Sequence, residues 1–289
     1  MSETPERDAH SGVETTGHEW DGIKELNMPL PRWWLWTLYA TVIWAVGYWI
    51  VMPAWPLVSS YTQGLLGHSE RARVAEEISQ ARAAQAGLRE RIAGSDLAAV
   101  RADQDLLAFA IAGGRSAFAV NCSQCHGRGA AGSPGYPNLN DDEWLWGGSL
   151  EEIDATIRYG VRAGHEQSRA NDMPAFLSDG LLSRPQIADL AEHVLSLSGR
   201  GEEPARAARG AALFAEQCVA CHKEGGTGDP ELGAPSLADQ IWLYGGERAD
   251  VERSIAFGRM GVMPAWEGRL DPVTLKQLTV YVHSLGGGE

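Results

Sequence analysis

The longest hydrophobic segment of the chain is residues 33–58, WWLWTLYATVIWAVGYWIVMPAWPLV, and no Asp, Glu, Lys or Arg occurs between Arg32 and Glu70. A helix of about 20 apolar residues crosses the hydrocarbon core of a bilayer, so this segment is long enough to span it with some tilt. Tryptophans lie at both ends of the segment, as is typical of the two membrane interfaces. Pro53 and Pro56 are expected to end or kink the helix.

A buried core helix and a cleaved signal peptide are the alternatives to a membrane anchor. The segment lacks a polar face, and its leader, residues 1–32, is long and acidic, so neither alternative fits well. We predict a single uncleaved anchor in the lipid bilayer. Lys24 and Arg32 flank it on one side and Arg71 and Arg73 on the other, so charge alone does not decide its orientation.

Helical periodicity begins again after the anchor. Side chains that are apolar except for Gln85 recur at spacings of four and three residues within 69–92, with Ser69 as the expected N-cap. Their positions are Val74, Ile78, Ala81, Gln85, Leu88 and Ile92. A second helical stretch is predicted at about 96–111. We therefore expect residues 59–108 to form a helical linker.

The rest of the chain contains an internal repeat. SAFAVNCSQCH (116–126) matches ALFAEQCVACH (212–222), and three further pairs follow in the same order. These pairs are WLWGGS with WLYGGE, IRYG with IAFG, and MPAF with MPAW. Each copy closes with a helical apolar pattern. The repeat predicts two homologous domains, 109–200 and 205–289, with the boundary in the Gly-, Pro- and charge-rich segment 198–209.

Composition narrows the classes of function. The net charge is −14, and the chain has no basic surface for nucleic acid, so we expect no nucleic-acid partner. An acidic surface suits a basic soluble partner, although it also serves solubility alone. The four cysteines form two Cys-x-x-Cys-His motifs, one in each copy, with none left over.

Cys-x-x-Cys-His is the attachment motif of a c-type haem. Residues three apart lie on one face of a helical turn, so both sulfurs can form thioethers with one porphyrin edge, and the histidine can ligate the iron. The expected thioether residues are Cys122, Cys125, Cys218 and Cys221, and the expected proximal ligands are His126 and His222. A four-cysteine zinc site would need both pairs to converge, and a redox disulfide expects a βαβ context that is missing here. We predict two covalently bound haem c groups.

The sixth iron ligand indicates what the haems do. Each copy has a Met-Pro before its final helix, and Met173 and Met263 are the expected ligands. Met260 and His165 are rival ligands, but neither has a counterpart in the other copy. A thioether raises the reduction potential, and a six-coordinate iron leaves no open site for O₂, so electron transfer is favoured over catalysis. We expect Trp144, Trp146 and Trp242 to pack against the macrocycles.

These features predict an all-α fold with one N-terminal transmembrane helix, an amphipathic linker helix and two tandem class I cytochrome c domains. Haem c is attached outside the cytoplasmic membrane in bacteria. We therefore expect residues 1–32 to be cytoplasmic, residues 33–58 to cross the inner membrane once, and the haem domains to be periplasmic.

Four stretches together resemble one family, the dihaem subunit III of cbb3-type cytochrome c oxidase (FixP or CcoP). They are DGIKELNMPLPRWWLW (21–36), YWIVMPAWPLV (48–58), NLNDDEWLWGGSLEEI (138–153) and HEQSRANDMPAF (165–176). Met28 stands where the family usually has an acidic or amide residue.

The resemblance implies that Cys122, Cys125, His126 and Met173 serve the first haem, and that the second haem uses the corresponding set from the second copy. That second set is Cys218, Cys221, His222 and Met263. It further implies that electrons pass from a soluble donor such as cytochrome c to the monohaem and catalytic subunits of a proton-pumping respiratory oxidase. This chain would then have no O₂-reducing site of its own. A membrane-anchored dihaem peroxidase and the electron-accepting subunit of a periplasmic dehydrogenase are the alternatives.

Overall fold

A computed structural model describes residues 5–286 of the chain. They divide into two compact units at residues 83 and 84. The first unit begins with an antiparallel hairpin of β1 (Thr15–Trp20) and β2 (Ile23–Leu26). Asp21 and Gly22 both have positive φ, 50° and 85°, which suits the tight turn that Asp-Gly sequences favour. This hairpin is a small addition to the predicted all-α fold, and the Asp-Gly pair was its signal.

The predicted membrane segment forms one helix, α1 (Arg32–Val51). Among the described residues it is the one helix that is long and apolar enough to cross a membrane. Its 20 residues span about 30 Å, the thickness of the hydrocarbon core. The helix ends two residues before Pro53, as the prolines predicted, and residues 52–58 of the predicted span are not helical.

The helix predicted over 69–92 is confirmed as α2 (Glu70–Gly94). The Ser69 hydroxyl accepts a hydrogen bond from the amide of Ala72 at 3.2 Å, which confirms Ser69 as its cap. Two shorter helices follow, α3 (Leu97–Ala102) and α4 (Gln104–Asn121). They lead to the first cysteine motif. Asp96 and Asp103 cap these two helices through their carboxylates.

The second unit, residues 84–286, contains the repeat. The first copy comprises α4, α5 (Ser123–His126), α6 (Leu150–Tyr159) and α7 (Arg184–Leu197). The second comprises α8 (Pro204–Gln217), α9 (Val219–His222), α10 (Arg248–Phe257) and α11 (Pro272–His283). The helices of the two copies correspond one to one in order, as the repeat predicted.

The closing helices of the two copies are exchanged. Helix α7 packs against α8 and α10, whereas α11 packs against α4 and α6. Glycines permit the closest contacts between helices. A Cβ added at Gly114 would lie 2.2 Å from the carbonyl oxygen of Gln277 in α11, and one at Gly210 would lie 2.1 Å from that of Asp189 in α7. Each apolar core is therefore built from both copies.

The loops before the closing helices cross in the same way. The amide of Met173 donates to the carbonyl of Arg259 at 3.0 Å, beyond the end of α10. The amide of Met263 donates to the carbonyl of Val161 at 3.0 Å, beyond the end of α6. The sequence repeats at 109–200 and 205–289 are thus not two separate packing units. Each haem-motif segment is completed by the last third of the other copy.

Candidate haem sites

The first cleft is built on the turn from α4 into α5. The amide of Cys125 donates to the carbonyl of Cys122 at 3.1 Å, and the amide of His126 donates to the same carbonyl at 2.9 Å. This helical turn brings both cysteines and the histidine to one cavity, whose lining also includes Met263. Aromatic and aliphatic side chains line the rest: Phe118, Trp144, Ile153, Ile157, Trp266 and Leu278.

The second cleft repeats this design on α8 and α9. The amides of Cys221 and His222 both donate to the carbonyl of Cys218, at 3.1 and 2.9 Å. The cavity above them includes Met173. Its apolar lining comes from both copies: Phe176, Leu190, Val194, Phe214, Trp242 and Ile255.

The methionines are therefore paired with the motifs in the opposite way from the sequence expectation. Met173 was expected beside His126 and Met263 beside His222. The structure brings Met263 into the cleft of His126 and Met173 into the cleft of His222. The reason is the crossed backbone pairing. Met263 hydrogen-bonds to Val161, just after α6, and Met173 hydrogen-bonds to Arg259, just after α10.

Both histidines are oriented by the same second contact. Nδ1 of His126 lies 3.0 Å from the carbonyl oxygen of Pro137, and Nδ1 of His222 lies 3.0 Å from that of Pro235. A carbonyl can only accept, so Nδ1 carries the proton and Nε2 keeps its lone pair for a metal. Burial lowers the pKa of both histidines, which favours the neutral imidazole that ligates iron.

The thiols of Cys122 and Cys218 are poor candidates for redox nucleophiles. Burial raises the pKa of Cys122 and of Cys218 to about 11, so both remain protonated at neutral pH. Within residues 5–286, no three His, Cys, Asp or Glu side chains gather into a group that would hold a metal ion. A protonated thiol beside an apolar cleft instead suits thioether formation with a bound macrocycle.

The walls also fit a haem. The indole Nε1 of Trp242 is buried without a hydrogen-bond partner in the second cleft, and a macrocycle that carries carboxylate groups would supply an acceptor. All three predicted tryptophans line a cleft: Trp144 the first, Trp242 the second, and Trp146 both. The rival ligands line neither cleft, because Met260 is 65% exposed and His165 stacks on Tyr159 with ring centroids 4.8 Å apart.

Sequence reasoning missed the residues that lie between the two clefts. Arg162, Tyr244 and Leu243 line both, together with Trp146. The Arg259 guanidinium lies over the Tyr244 ring, 3.9 Å from its centroid. The available signal was the longer segment between IRYG and MPAF in the first copy, 161–172, against 259–262 in the second.

Two Cys-x-x-Cys-His clefts, each with a methionine in its lining, and a candidate membrane-spanning helix earlier in the sequence define a membrane-anchored dihaem c-type cytochrome. Comparison with known families agrees. Residues 12–59 match the N-terminal domain of cytochrome oxidase-cbb3, FixP. Residues 109–194 and 205–282 match cytochrome c oxidase, cbb3-type, subunit III.

Similar proteins cover the whole chain. The chain is 54% identical to the cbb3-type cytochrome c oxidase subunit FixP of Bradyrhizobium sp. (strain ORS 278), with 100% of both chains covered. It is 49% identical to subunit CcoP of Cereibacter sphaeroides, again over 100% of both chains. Subunit CcoP of Azospirillum brasilense is 48% identical over 98% of this chain and 99% of its own length.

The chain belongs to the FixP/CcoP family, subunit III of cbb3-type cytochrome c oxidase. It carries two covalently bound haem c groups and serves electron transfer within that oxidase. The expected family, its two haem c groups and its role in electron transfer are confirmed, and the peroxidase and dehydrogenase-subunit alternatives are not supported.

Proposed function

We propose that this chain receives electrons from a soluble periplasmic donor, such as cytochrome c, and delivers them to the monohaem and catalytic subunits of the oxidase. The observation that supports this most is the pair of clefts, each with two cysteines, an oriented histidine and a facing methionine. Bound haem iron supplies one-electron redox chemistry.

The residues have distinct roles in this proposal. Cys122 and Cys125 attach the first haem, and His126 and Met263 ligate its iron. The second site has the corresponding set with the other methionine, Cys218, Cys221, His222 and Met173. Two protein ligands on each iron leave no position for O₂ or peroxide, so the chain transfers electrons and does not reduce oxygen. The apolar walls exclude water, and a neutral sulfur ligand favours the ferrous state.

The chain's charge suits its donor. The residues after the anchor, 59–289, carry 31 Asp and Glu against 21 Lys and Arg. Their net charge of −10 favours the approach of a basic protein, and such steering weakens as salt screens it. We therefore propose a basic donor, whose rate of electron delivery falls as ionic strength rises. A donor whose rate does not respond to salt would argue against this part of the proposal.

The membrane arrangement is also part of the proposal. Helix α1 anchors the chain in the bacterial inner membrane, with residues 1–32 in the cytoplasm and the haem sites in the periplasm. The supporting argument is chemical, because haem c is attached on the periplasmic side. A reporter enzyme that is active only in the periplasm, fused at the C-terminus, should be active, and the same reporter at the N-terminus should be silent.

Purification of the tagged full-length chain from membranes in mild detergent tests the function. We expect c-type haem in this chain and in a second, monohaem polypeptide, together with b-type haem and copper in a third. A denaturing gel stained for covalent haem should lose this chain's signal only when all four cysteines become alanine. Isolation with a periplasmic dehydrogenase, and without b-type haem and copper, would contradict the proposed partners.

A further inference from the structure

Arg162 lies between the two clefts and has an unusual backbone. It follows the end of α6 by three residues, and its φ of 50° is in the left-handed region that residues with a Cβ seldom adopt. Its amide donates to the carbonyl of Arg169 at 2.6 Å, which closes a turn within 161–172. The turn places the side chain where it lines both clefts.

The guanidinium of Arg162 contacts equivalent points in both methionine loops. Its Nε donates to the carbonyl of Gly261 at 2.6 Å, and its Nη1 donates to the carbonyl of Asn171. Gly261 precedes Met263 by two residues, and Asn171 precedes Met173 by two. One rigid, permanently charged guanidinium therefore holds each loop at the residue two positions before its methionine.

A further hydrogen bond extends this connection to the second cleft. The side-chain amide of Asn171 donates to the carbonyl of Leu232 at 2.7 Å, and Leu232 lines the cleft of His222. A continuous series of contacts thus runs from the loop of Met263 through Arg162 and Asn171 to the wall of the second cleft. Hydrogen bonds from an ionised donor are about twice as strong as neutral ones, so this series resists opening.

The second copy has no equivalent of this side chain. Residues 161–172 separate Gly160 from Met173, but only 259–262 separate Gly258 from Met263. The position that corresponds to Arg162, two residues after the glycine, is Met260, which is 65% exposed. A single arginine from the first copy thus serves both loops.

We propose that Arg162 is a positioning residue shared by the two haem sites, which holds both axial methionines so that loss of its side chain loosens both together. The inference rests on the proposed ligand roles of Met173 and Met263. It goes beyond them because it couples the two haem sites through one side chain.

The test uses the full-length, haem-loaded chain in detergent, with imidazole as a probe that displaces a loosened methionine from ferric haem. The variants are Arg162→Gln, which removes the charge and the fork, and Arg162→Lys, which keeps the charge without the fork. The matched control is Arg209→Gln, because the Arg209 guanidinium bonds the Asp189 carboxylate and the Ala205 carbonyl, and Arg209 lines neither cleft.

We expect Arg162→Gln to bind imidazole about tenfold more tightly at both haems, as loss of charge-assisted hydrogen bonds predicts. The sulfur-to-iron band in the near infrared should weaken at both haems. Arg162→Lys should be intermediate at both haems, and Arg209→Gln should stay within about twofold of the unchanged chain, since the bonds of Arg209 reach neither methionine loop.

A change at one haem only, or at neither, would overturn the inference. If Arg162→Gln fails to retain haem, Arg162→Lys provides the same comparison. Absence of the sulfur-to-iron band in the unchanged chain would contradict the proposed methionine ligands themselves, which separates the two failures.

Discussion

The backbones of Val161 and Met263 pair reciprocally: the amide of Val161 donates to the carbonyl of Met263 at 2.9 Å, and the amide of Met263 donates back at 3.0 Å. Met173 and Arg259 pair in the same manner, at 3.0 and 3.3 Å. Each methionine thus pairs with a residue just after a helix of the other copy, α6 for Met263 and α10 for Met173. Several measurable consequences follow from this crossing.

The crossed pairing predicts which methionine belongs to which haem. In a chain with Cys218→Ala and Cys221→Ala, only the haem on Cys122 and Cys125 remains. Adding Met263→Ala should then abolish the near-infrared sulfur-to-iron band, because Met263 lines that cleft.

Adding Met173→Ala to the same background is the matched control. It should leave the band intact, because Met173 lines the other cleft. The reverse result would restore the pairing expected from sequence order.

Gly160 tests the contact between α6 and the Met263 loop. Its φ is +73°, and an added Cβ would lie 2.4 Å from the Met263 carbonyl oxygen. Gly180 has a φ of +72° with nothing within 4 Å of an added Cβ. Both alanine variants are strained because φ is positive at both positions, but only Gly160→Ala also displaces the loop.

We expect Gly160→Ala to unfold at lower denaturant and to weaken the sulfur-to-iron band, whereas Gly180→Ala lowers the unfolding midpoint alone. Equal behaviour of the two variants in chemical denaturation and near-infrared absorption would show that the close approach is not needed for ligation.

Gly114 tests the exchanged packing of α11 on α4. An alanine Cβ there would lie 2.2 Å from the Gln277 carbonyl oxygen and 2.5 Å from the Cβ of Tyr281. We expect Gly114→Ala to reduce the free energy of unfolding by about 1–3 kcal/mol, as overpacking does. Urea denaturation followed by circular dichroism measures this change.

The control for that variant is Gly87→Ala in α2, where an added Cβ meets nothing within 4 Å. Replacing an unobstructed helical glycine by alanine should stabilise its helix by about 1 kcal/mol. A gain in stability from both substitutions would contradict the packing of α11 on α4.

Glu143 makes stability depend on pH. Burial, followed by its hydrogen bond to Asp239, raises the pKa of Glu143 from its usual 4.5 to about 7. The folded chain therefore holds this proton where the unfolded chain has lost it. The contribution of protonated Glu143 to the free energy of unfolding is fully present below about pH 4.5. It is lost as the pH rises to about 7.

Glu143→Gln, which keeps the shape and cannot ionise, should remove that dependence. Denaturation midpoints of both proteins between about pH 4.5 and 7 measure it. The unchanged chain should lose more stability across this range than the variant, and parallel curves would argue against a raised pKa.

Much of the architecture could be predicted from local sequence. The charge-free segment gave α1, the spacing of Val74 and Ile78 gave α2, and the repeated Cys-x-x-Cys-His motifs gave both clefts and their histidines. These features depend on neighbours within a few residues, where periodicity and spacing are informative. Ser69 as a cap and Pro53 as a boundary belong to the same class.

The pairing of methionines with histidines could not be predicted in this way. The two copies have nearly equivalent apolar positions, so α4 can accept either α7 or α11 by pattern alone. The choice depends on connections such as 161–172, which decide how far each loop reaches before its methionine. Arg162 was missed for the same reason, since its partners Gly261 and Asn171 are known only once the loops are placed.

The exchange of α7 and α11 also sets the order in which the two sites can be finished during synthesis. Cys122 and His126 leave the ribosome long before Met263 and α11, which complete their cleft. Met173 and α7, by contrast, already exist when Cys218 and His222 are made. The haem motif that is translated first is therefore the last to have its cleft completed. A chain that stops short of residue 263 lacks Met263, Leu278 and Val282 from the lining of its first cleft, whereas the lining of the second already includes Met173.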